Sequence, residues 1–262
     1  MILGDFISAF EKHYPVVLAE PWDRVGLVVG DRTQSVQRVL LAVDITEEVA
    51  RQAVAGHFDL LLTHHPLYLR GTSFLSCDDS KGRIVADLIR ANCALYTAHT
   101  NADIASGGVS DSLASLVGLR HIESPEGALR VGTIDPIPLG DFAQHVAQVL
   151  PAGPTGLLVG GDPERQISRV AVSGGAGDSY LDAAHAAGAD VYLAADFRHH
   201  PALEHLDHTA LLCGSHWATE WPWLPRLAEQ LSAWPSTAKL AVEVSTLVTE
   251  PWGAHLITKG QK

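Results

Sequence analysis

The segment from Arg38 to Pro66 reads RVLLAVDITEEVARQAVAGHFDLLLTHHP, and it is the most informative part of the chain about the fold. A second stretch reads RVAVSGGAGDSYLDAAHAAGADVYLAADFRHHP from Arg169 onward. At an offset of 131 positions, Arg38 aligns with Arg169 and Asp59 aligns with Asp190. Each copy predicts an apolar strand, a helix, a second apolar strand and then His-His-Pro. The repeat therefore predicts two related halves.

The apolar runs in both copies are continuous rather than alternating, as in RVLLAV, FDLLL, RVAV and ADVYLA. Such runs are typical of strands covered on both faces, as in mainly parallel sheets with helices on each side. Thr46 is placed to cap the first helix, and Asp178 or Ser179 to cap the second. Gly188 is the expected residue just past the second helix. The predicted fold class is α/β, with two related halves whose mainly parallel or mixed sheets are covered by helices.

The similarity between the two halves continues further along the chain. CALYTAHTNAD, from Cys93, matches TALLCGSHWATE, from Thr209, as a short strand followed by His-x-x-x-acid. Gly- and Pro-rich sequence separates the copies, although DFAQHVAQVL from Asp141 has helical spacing. The predicted domains are a first α/β half at 1–125, a small linking unit at 126–166 and a second α/β half at 167–262.

The balance of charged residues indicates which classes of binding partner suit this chain. The 262-residue chain has 18 basic and 30 acidic residues and a formal net charge of −12. Phosphate binding depends on clustered Lys and Arg, so this balance argues against nucleic acid or an anionic membrane surface as the main partner. No apolar run reaches the roughly 18 residues of a membrane span. Asp5 interrupts the stretch that a signal peptide would need, and three cysteines without paired spacing fit a reducing compartment. A cytoplasmic protein is predicted.

Histidine is abundant, with 14 residues, and the first cluster follows a predicted strand. In parallel α/β sheets, ligands bind outside the carboxyl ends of the strands, where Thr63-His64-His65-Pro66 falls. Neighbouring side chains on an extended chain point to opposite sides, and Pro66 keeps His65 extended. The two imidazoles should therefore splay apart, one toward each of two metal ions. The alternative is a pair of histidines with only a structural role.

Two further clusters are His99-Thr-Asn-Ala-Asp103 and His216-Trp-Ala-Thr-Glu220. On a helix, the four-residue spacing brings His216 and Glu220 about 5–6 Å apart at Cβ. The combined set offers nitrogen and oxygen ligands without a thiolate, which suits two divalent transition-metal ions such as Zn, Fe, Mn, Ni or Co. Carboxylates can bridge two such ions about 3.5–4 Å apart. The candidate metal ligands are His64, His65, Asp103, His216 and Glu220.

Several segments of the chain resemble the NIF3-like proteins, also called DUF34 or GTP cyclohydrolase 1 type 2 homologues. They are PWDRVGLVVGD from Pro21, DLLLTHHPLY, YTAHTNADIASGGVSDSLASLVGL, GADVYLAADFRHHPALEH and SHWATE. The resemblance runs from about Asp5 to Pro251. It implies two related α/β halves around a groove that holds a dinuclear metal centre, and a homohexamer assembled as a trimer of dimers. The ligands that it implies fall on the same five residues. The family usually has glycine directly before the late histidine, where this chain has Ser215.

Other residues have several interpretations. His99 could hold Asp103 or a metal-bound water in place, could act as a general base, or could be hydrogen-bonded inside a turn. His199 and His200 are interpreted as a degenerate copy of the early pair that faces the groove. The GGAG run from Gly174 weakly suggests a phosphate cradle at a helix N-terminus. Cys213 has no accompanying thiol and is not counted as a ligand.

Three classes of function fit these residues, and the last of them is a toroid that serves as an assembly scaffold with a vestigial site. The first is a dinuclear metal-dependent hydrolase that uses a metal-bridging water as nucleophile, with His99 as a catalytic residue. Resemblance to proteins named GTP cyclohydrolase suggests a small-molecule, nucleotide-like substrate. The second is a non-enzymatic metal-binding, metal-delivery or regulatory toroid. An open coordination position and a groove for substrate would favour the enzyme, whereas exchangeable metal without turnover would favour the second class.

Overall fold

The computed structural model describes residues 1–256, which form two compact units. The first unit comprises Met1–Gly108 and Trp223–Thr249. The second comprises Val109–Pro222 and, at the end of the described part of the chain, residues 250–256. Both units are mixed α/β structures with one sheet each.

This division differs from the predicted one of 1–125, 126–166 and 167–262. The first boundary lies at Gly108, and the chain returns to the first unit at Trp223. The segment 126–166 is not a separate unit, because two of its strands pair within the second sheet. These differences arise from pairing between distant parts of the sequence, which a local pattern does not reveal.

The strands of the described residues are numbered in chain order. They are β1 (Gly26–Val29), β2 (Arg38–Ala42), β3 (Leu60–Thr63), β4 (Ala94–Thr97), β5 (Arg120–Glu123), β6 (Arg130–Pro138), β7 (Leu158–Gly160), β8 (Gln166–Ala176), β9 (Val191–Ala195), β10 (Ala210–Gly214) and β11 (Ala241–Val244).

The α-helices are numbered in the same way. They are α1 (Leu3–Phe10), α2 (Glu47–Ala55), α3 (Ser80–Arg90), α4 (Thr100–Ile104), α5 (Val109–Leu116), α6 (Leu139–Val149), α7 (Leu181–Ala186), α8 (His199–His205), α9 (His216–Glu220) and α10 (Trp223–Ala233). Within the described residues, none of these helices has the length and apolar character that crossing a bilayer requires.

The sheet of the first unit has the strand order β1-β4-β3-β2-β11. Strands β4, β3, β2 and β11 are successive parallel neighbours, and β1 runs antiparallel to β4. Leu40, Leu61 and Leu95 are buried in a core that also includes apolar residues of α2 and α3. Helix α10 also packs against strands β11 and β2 of this sheet. The continuous apolar strands are thus covered by helices, as the sequence predicts.

The sheet of the second unit has the order β5-β6-β8-β9-β10-β7. Strands β8, β9 and β10 are parallel, and β7 pairs antiparallel with β10 as β1 does with β4. One core cluster joins Val172 and Leu193 to residues of α5 and α6. Another joins Ala171 and Tyr192 to residues of α7 and α8. This sheet is therefore covered by helices on both faces.

The predicted repeat is confirmed by the way each half begins. The Asp59 carboxylate accepts the backbone N–H groups of Gln37 and Arg38, each at 2.8 Å. The Asp190 carboxylate accepts the N–H groups of Ser168 and Arg169 at 2.8 and 2.9 Å. Each aspartate thus fixes the start of the neighbouring strand, β2 or β8. A charged acceptor for two backbone donors is a strong local interaction, which explains why this residue recurs at the offset of 131.

The helix caps match the prediction in part. Thr46 accepts from the N–H of Val49 at 3.2 Å, as predicted. Gly188 has φ +73° just past α7, also as predicted. In contrast, neither Asp178 nor Ser179 caps α7, because both lie in a short 3₁₀ turn before it. Asp178 instead accepts the backbone N–H of Arg198 at 2.9 Å.

Candidate metal centre

His64 is fixed at the end of β3 by a backbone acceptor. The side chain is buried, and its Nδ1 lies 2.9 Å from the carbonyl oxygen of Ala98. A carbonyl oxygen can only accept, so Nδ1 carries a hydrogen, and in the neutral ring Nε2 carries the lone pair. The Nε2 atom faces Asp103 Oδ1 at 3.5 Å, too long for a good hydrogen bond. Two electron-rich atoms at this spacing favour a cation between them.

The neighbouring imidazole, His65, is held by a carboxylate. Its Nδ1 lies 2.7 Å from Asp44 Oδ1, in the turn that follows β2. The prediction that the two rings splay to opposite sides is wrong, because their centroids are 4.9 Å apart. The reason is local: β3 ends at Thr63, and the chain bends at His64 and His65 instead of staying extended. The assignment of one imidazole to each of two ions stays a prediction.

His99 lies at the N-terminus of α4 and is also held by a carboxylate. Its Nδ1 is 2.8 Å from Asp23 Oδ1, and the other Asp23 oxygen accepts the N–H and hydroxyl of Thr100. Burial raises the pKa of the Asp23 carboxyl, but the hydrogen bonds from His99 and Thr100 outweigh burial and hold that pKa well below its usual range. Asp23 is therefore ionised, so that His99 Nδ1 donates to it, and in the neutral ring Nε2 carries the lone pair.

The first unit brings three of these imidazoles together. One ring nitrogen of each of His64, His65 and His99 lies within 4.8 Å of the others. Asp103, four residues after His99, adds a carboxylate oxygen to His64. We call these four residues the first half-site. The sequence places His99 as a catalytic or supporting residue, and the structure places its ring beside the predicted ligands.

The second unit places His216 and Glu220 on one face of α9, as their spacing predicts. His216 Nε2 and Glu220 Oε1 are 3.0 Å apart, and Glu220 is buried. His216 Nδ1 lies 2.6 Å from Asp196 Oδ2. The charge of Glu220 raises the pKa of His216 to about 11; burial opposes the shift and Asp196 reinforces it. We call His216 and Glu220 the second half-site.

Ser215 occupies the position where the resemblance implies a glycine. Its hydroxyl accepts from the N–H of Ala218 at 3.0 Å and so caps α9. The same hydroxyl donates to the carboxylate of Glu250, which also accepts the N–H of Trp217 at 3.2 Å. The side chain at this turn therefore anchors the helix that carries His216 and Glu220.

The GGAG run makes room for the second half-site. Gly174 and Gly175 lie within β8 rather than at a helix N-terminus, so the predicted phosphate cradle is not formed there. A Cβ on Gly175 would lie 2.4 Å from Glu220 Oε1 and 3.0 Å from His216 Nε2. Gly175 also has φ +66°, which disfavours a side chain. Only glycine allows the backbone to approach these two side chains so closely.

The second His-His-Pro run is not equivalent to the first. His199 and His200 are exposed in the first turn of α8, with ring centroids 5.2 Å apart. At the offset of 131, the partner of His65 is Asp196, directly after β9. Three residues, 196–198, separate the end of β9 from the second histidine pair, which therefore starts a helix instead of following a strand directly.

Sequence reasoning missed the three carboxylates that orient the histidines, namely Asp23, Asp44 and Asp196. Asp44 follows β2 and Asp196 follows β9, so both stand at strand ends where site residues are expected. Their position after predicted strands was the sequence signal that could have identified Asp44 and Asp196 as site residues. Asp23 lies in a loop, 76 residues before its partner His99, and nothing local pairs the two.

Comparisons with known proteins agree with this architecture. The family model described as Duf34/NIF3 (NGG1p interacting factor 3) matches residues 1–251. A Streptomyces coelicolor relative named GTP cyclohydrolase 1 type 2 homolog is 45% identical over 273 residues, covering 97% of this chain and 94% of the relative. A Clostridium perfringens relative of the same name is 32% identical, covering 88% and 91%.

Solved structures show the same fold. A crystal structure of a Staphylococcus aureus protein has a TM-score of 0.88 at 27% identity, covering 96% of this chain and 98% of that one. A Bacillus cereus protein described as related to NIF3 has a TM-score of 0.87 at 24% identity, with the same coverage, which bears on the fold alone. The similarity thus extends over nearly the whole chain.

Proposed function

Because the chain belongs to the Duf34/NIF3 (NGG1p interacting factor 3) family, we propose that it is a dinuclear metal-dependent hydrolase. In this proposal the two half-sites together hold two divalent transition-metal ions. The ligands are His64, His65, Asp103, His216 and Glu220.

The observation that carries the proposal is the orientation of the histidines. Each of the four imidazoles has its Nδ1 on an oxygen acceptor, which is a carbonyl for His64 and a carboxylate for His65, His99 and His216. Histidines that bind metals through Nε2 characteristically donate Nδ1–H to such a partner, which fixes the tautomer and strengthens the ligand. The three assigned histidine ligands, His64, His65 and His216, match this pattern, and His99 shares the orientation as the assigned proton acceptor.

The spacing of the donors also fits a metal ion. Two ligands about 2.1 Å from one ion are about 3.0 Å apart at a right angle and about 3.4 Å apart at the tetrahedral angle. His216 Nε2 and Glu220 Oε1 are 3.0 Å apart, and His64 Nε2 and Asp103 Oδ1 are 3.5 Å apart. The donors are imidazole and carboxylate, which suit Zn, Mn, Fe, Ni or Co.

When bound, two such ions would lower the pKa of water toward 7 and stabilise developing negative charge. The chain itself supplies a proton acceptor. His99 presents Nε2 beside the His64 and His65 rings, and ionised Asp23 stabilises the imidazolium that forms when Nε2 takes a proton. We assign His99 this role in the hydrolysis.

The substrate class is proposed from the name of the relatives. The Streptomyces coelicolor protein is called a GTP cyclohydrolase 1 type 2 homolog, which suggests a nucleotide-like substrate attacked at a purine ring carbon. The formal charge of −12 does not attract polyanions by itself. Recognition of a phosphorylated substrate would then depend on the bound ions.

The first experiment measures metal. Protein purified without chelator should contain about two transition-metal ions per chain by elemental analysis. Glu220→Ala should lower this content more than His99→Ala, because Glu220 is assigned as a ligand and His99 as the proton acceptor. Absence of bound metal after reconstitution would eliminate the proposed centre, and the reverse order of the two variants would exchange their roles.

The second experiment measures turnover. Metal-reconstituted protein is incubated with GTP, other nucleotides and phosphoesters, with Asp103→Ala as the blank. We expect hydrolysis of a nucleotide by the wild-type protein only. Equal rates for both proteins would exclude a site that includes Asp103.

A metal-delivery role is the second candidate, and the exposure of the second half-site favours it. The His216 side chain is 33% exposed and that of its partner Asp196 is 58% exposed, so solvent and chelators can reach this ligand. Rapid transfer of metal to a chelator, together with no turnover in the nucleotide screen, would support delivery. Slow exchange together with turnover would support the hydrolase.

The homohexamer is proposed from the family resemblance alone. We expect a trimer of dimers in solution, measured as the mass by light scattering. A monomeric mass would contradict this assembly without affecting the metal ligands of a single chain.

A further inference from the structure

The segment that follows β11 is anchored at its start. The Ser245 N–H donates to the carbonyl of Leu41 at 2.8 Å, and its hydroxyl donates to the Gln52 side chain at 2.7 Å. Leu247 packs against the core that contains Leu40 and Leu61. The chain therefore leaves the sheet along a defined path beside the carboxyl end of β2 and reaches Thr249 and Glu250.

Thr249 acts on the first half-site through one intermediate residue. Its hydroxyl donates to Asp44 Oδ2, while the other oxygen of that carboxylate accepts Nδ1–H from His65. Both oxygens of Asp44 are thus engaged, one by the threonine and one by the imidazole. Loss of the threonine hydroxyl would let the carboxylate rotate and would leave the His65 ring less well oriented.

Glu250 acts on the second half-site through a helix terminus. Its carboxylate accepts the Trp217 N–H at 3.2 Å and the Ser215 hydroxyl, both at the start of α9. A negative charge at a helix N-terminus is favourable, and hydrogen bonds to an ionised acceptor are about twice as strong as neutral ones. Because α9 is only five residues long, this terminus largely fixes where His216 and Glu220 lie.

We infer that Thr249 and Glu250 are positioning residues for metal binding, Thr249 through Asp44 and His65, and Glu250 through the N-terminus of α9. The inference rests on the metal centre of the proposed function but not on the hydrolysis. Each contact lies within one unit, and the two residues share a peptide bond. One dipeptide therefore supports a ligand of each half-site.

The test uses Co²⁺, whose visible absorption spectrum reports ligand geometry. Dissociation constants are measured by competition with a chelator of known affinity for the wild-type protein, Thr249→Val, Glu250→Ala and Glu250→Gln. Thr246→Val and Glu229→Ala are matched controls, because both residues are exposed. The thermal midpoint of each metal-free protein reports any general loss of stability.

We expect Thr249→Val and Glu250→Ala each to weaken Co²⁺ binding about 10-fold to 100-fold, the usual effect of removing a residue that orients a ligand. Their spectra should change, whereas the control variants should bind as the wild-type protein does. Glu250→Gln should retain most of the affinity, because its amide oxygen can accept from the same two donors.

Three results would overturn the inference. Wild-type affinity and spectrum in Thr249→Val and Glu250→Ala would do so, even with a lowered thermal midpoint. Equal weakening in the control variants would show a general effect on the fold. A wild-type protein that binds no Co²⁺ would overturn the proposed metal centre as well, so the two failures are distinguishable. Thr249→Val, which is nearly isosteric, keeps the test decisive if Glu250→Ala does not fold.

Discussion

Replacement of Gly175 by alanine should obstruct the second half-site. Comparison with a control glycine distinguishes this obstruction from strain in the backbone. The added Cβ would lie 2.4 Å from Glu220 Oε1, whereas Cβ atoms essentially never come closer than 3.0 Å to another heavy atom. The carboxylate oxygen must therefore move by about 0.6 Å, which is more than the roughly 0.2 Å tolerance of a metal–ligand distance. We expect metal affinity to fall about 10-fold to 100-fold, equivalent to about 1.4–2.8 kcal/mol.

The matched control is Gly188→Ala. Gly188 has φ +73° against +66° for Gly175, but a Cβ there would meet no atom within 4 Å. Both variants should lose about 1–2 kcal/mol of folding free energy from the left-handed backbone. At about 2–4 °C per kcal/mol, this corresponds to a lowering of the thermal midpoint by about 2–8 °C in each.

The assay compares metal dissociation constants and thermal midpoints of the two metal-free variants. Gly175→Ala should lose affinity while Gly188→Ala keeps it. Equal affinity in both variants would show that the close approach of Gly175 to Glu220 has no bearing on metal binding.

Three further predictions follow from the polar contacts. Asp196→Asn keeps an oxygen acceptor for His216 but removes its charge, so metal affinity should fall about 10-fold in a calorimetric titration; unchanged affinity would show that Asp196 does not tune the ligand. The raised pKa of His216 stabilises the metal-free protein fully below pH 6.5 and loses this contribution as the pH rises through about 11. The urea midpoint of the metal-free protein should therefore fall over that range, whereas saturating Zn²⁺, which replaces the proton, should reduce the fall; identical profiles would contradict this. Burial raises the pKa of the Cys93 thiol to about 12, while Cys77 is exposed, so a thiol reagent at pH 8 should modify Cys77 in the native protein and leave Cys93 unmodified, as peptide mass mapping would reveal.

The parts of the fold that the sequence predicts are those with a local or repeated signal. Asp59 and Asp190 recur at a fixed offset because each holds the start of a strand through two backbone donors. The helix over DFAQHVAQVL and the Thr46 cap follow from spacing and from a side-chain acceptor. Strand β11 could not be assigned in this way, because its pairing with β2 joins residues about 200 positions apart.

The same difference between local sequence signals and long-range contacts applies to the candidate site. His216 and Glu220 come together because four residues make one turn of α9, and Ser215 begins that turn. The ring orientation of His64 and His65 depends on the Ala98 carbonyl and the Asp44 carboxylate, which belong to other loops. The candidate ligands were therefore accessible from motif spacing, whereas the orientation of their side chains required the tertiary structure.

The charges around the histidines explain why a cation is the natural complement of each half-site. Carboxylates contact the imidazoles in both units: Asp23, Asp44 and Asp103 in the first, and Asp196 and Glu220 in the second. Asp23 and Glu220 are buried, and a buried carboxylate is costly unless a positive charge compensates it. In the second half-site a proton on His216 supplies that charge, as its raised pKa shows. A divalent ion can replace this proton with a larger charge and with bonds to both Nε2 and the Glu220 oxygen. Metal and proton therefore compete for the same two atoms, so metal binding should strengthen as the pH rises toward the pKa of His216.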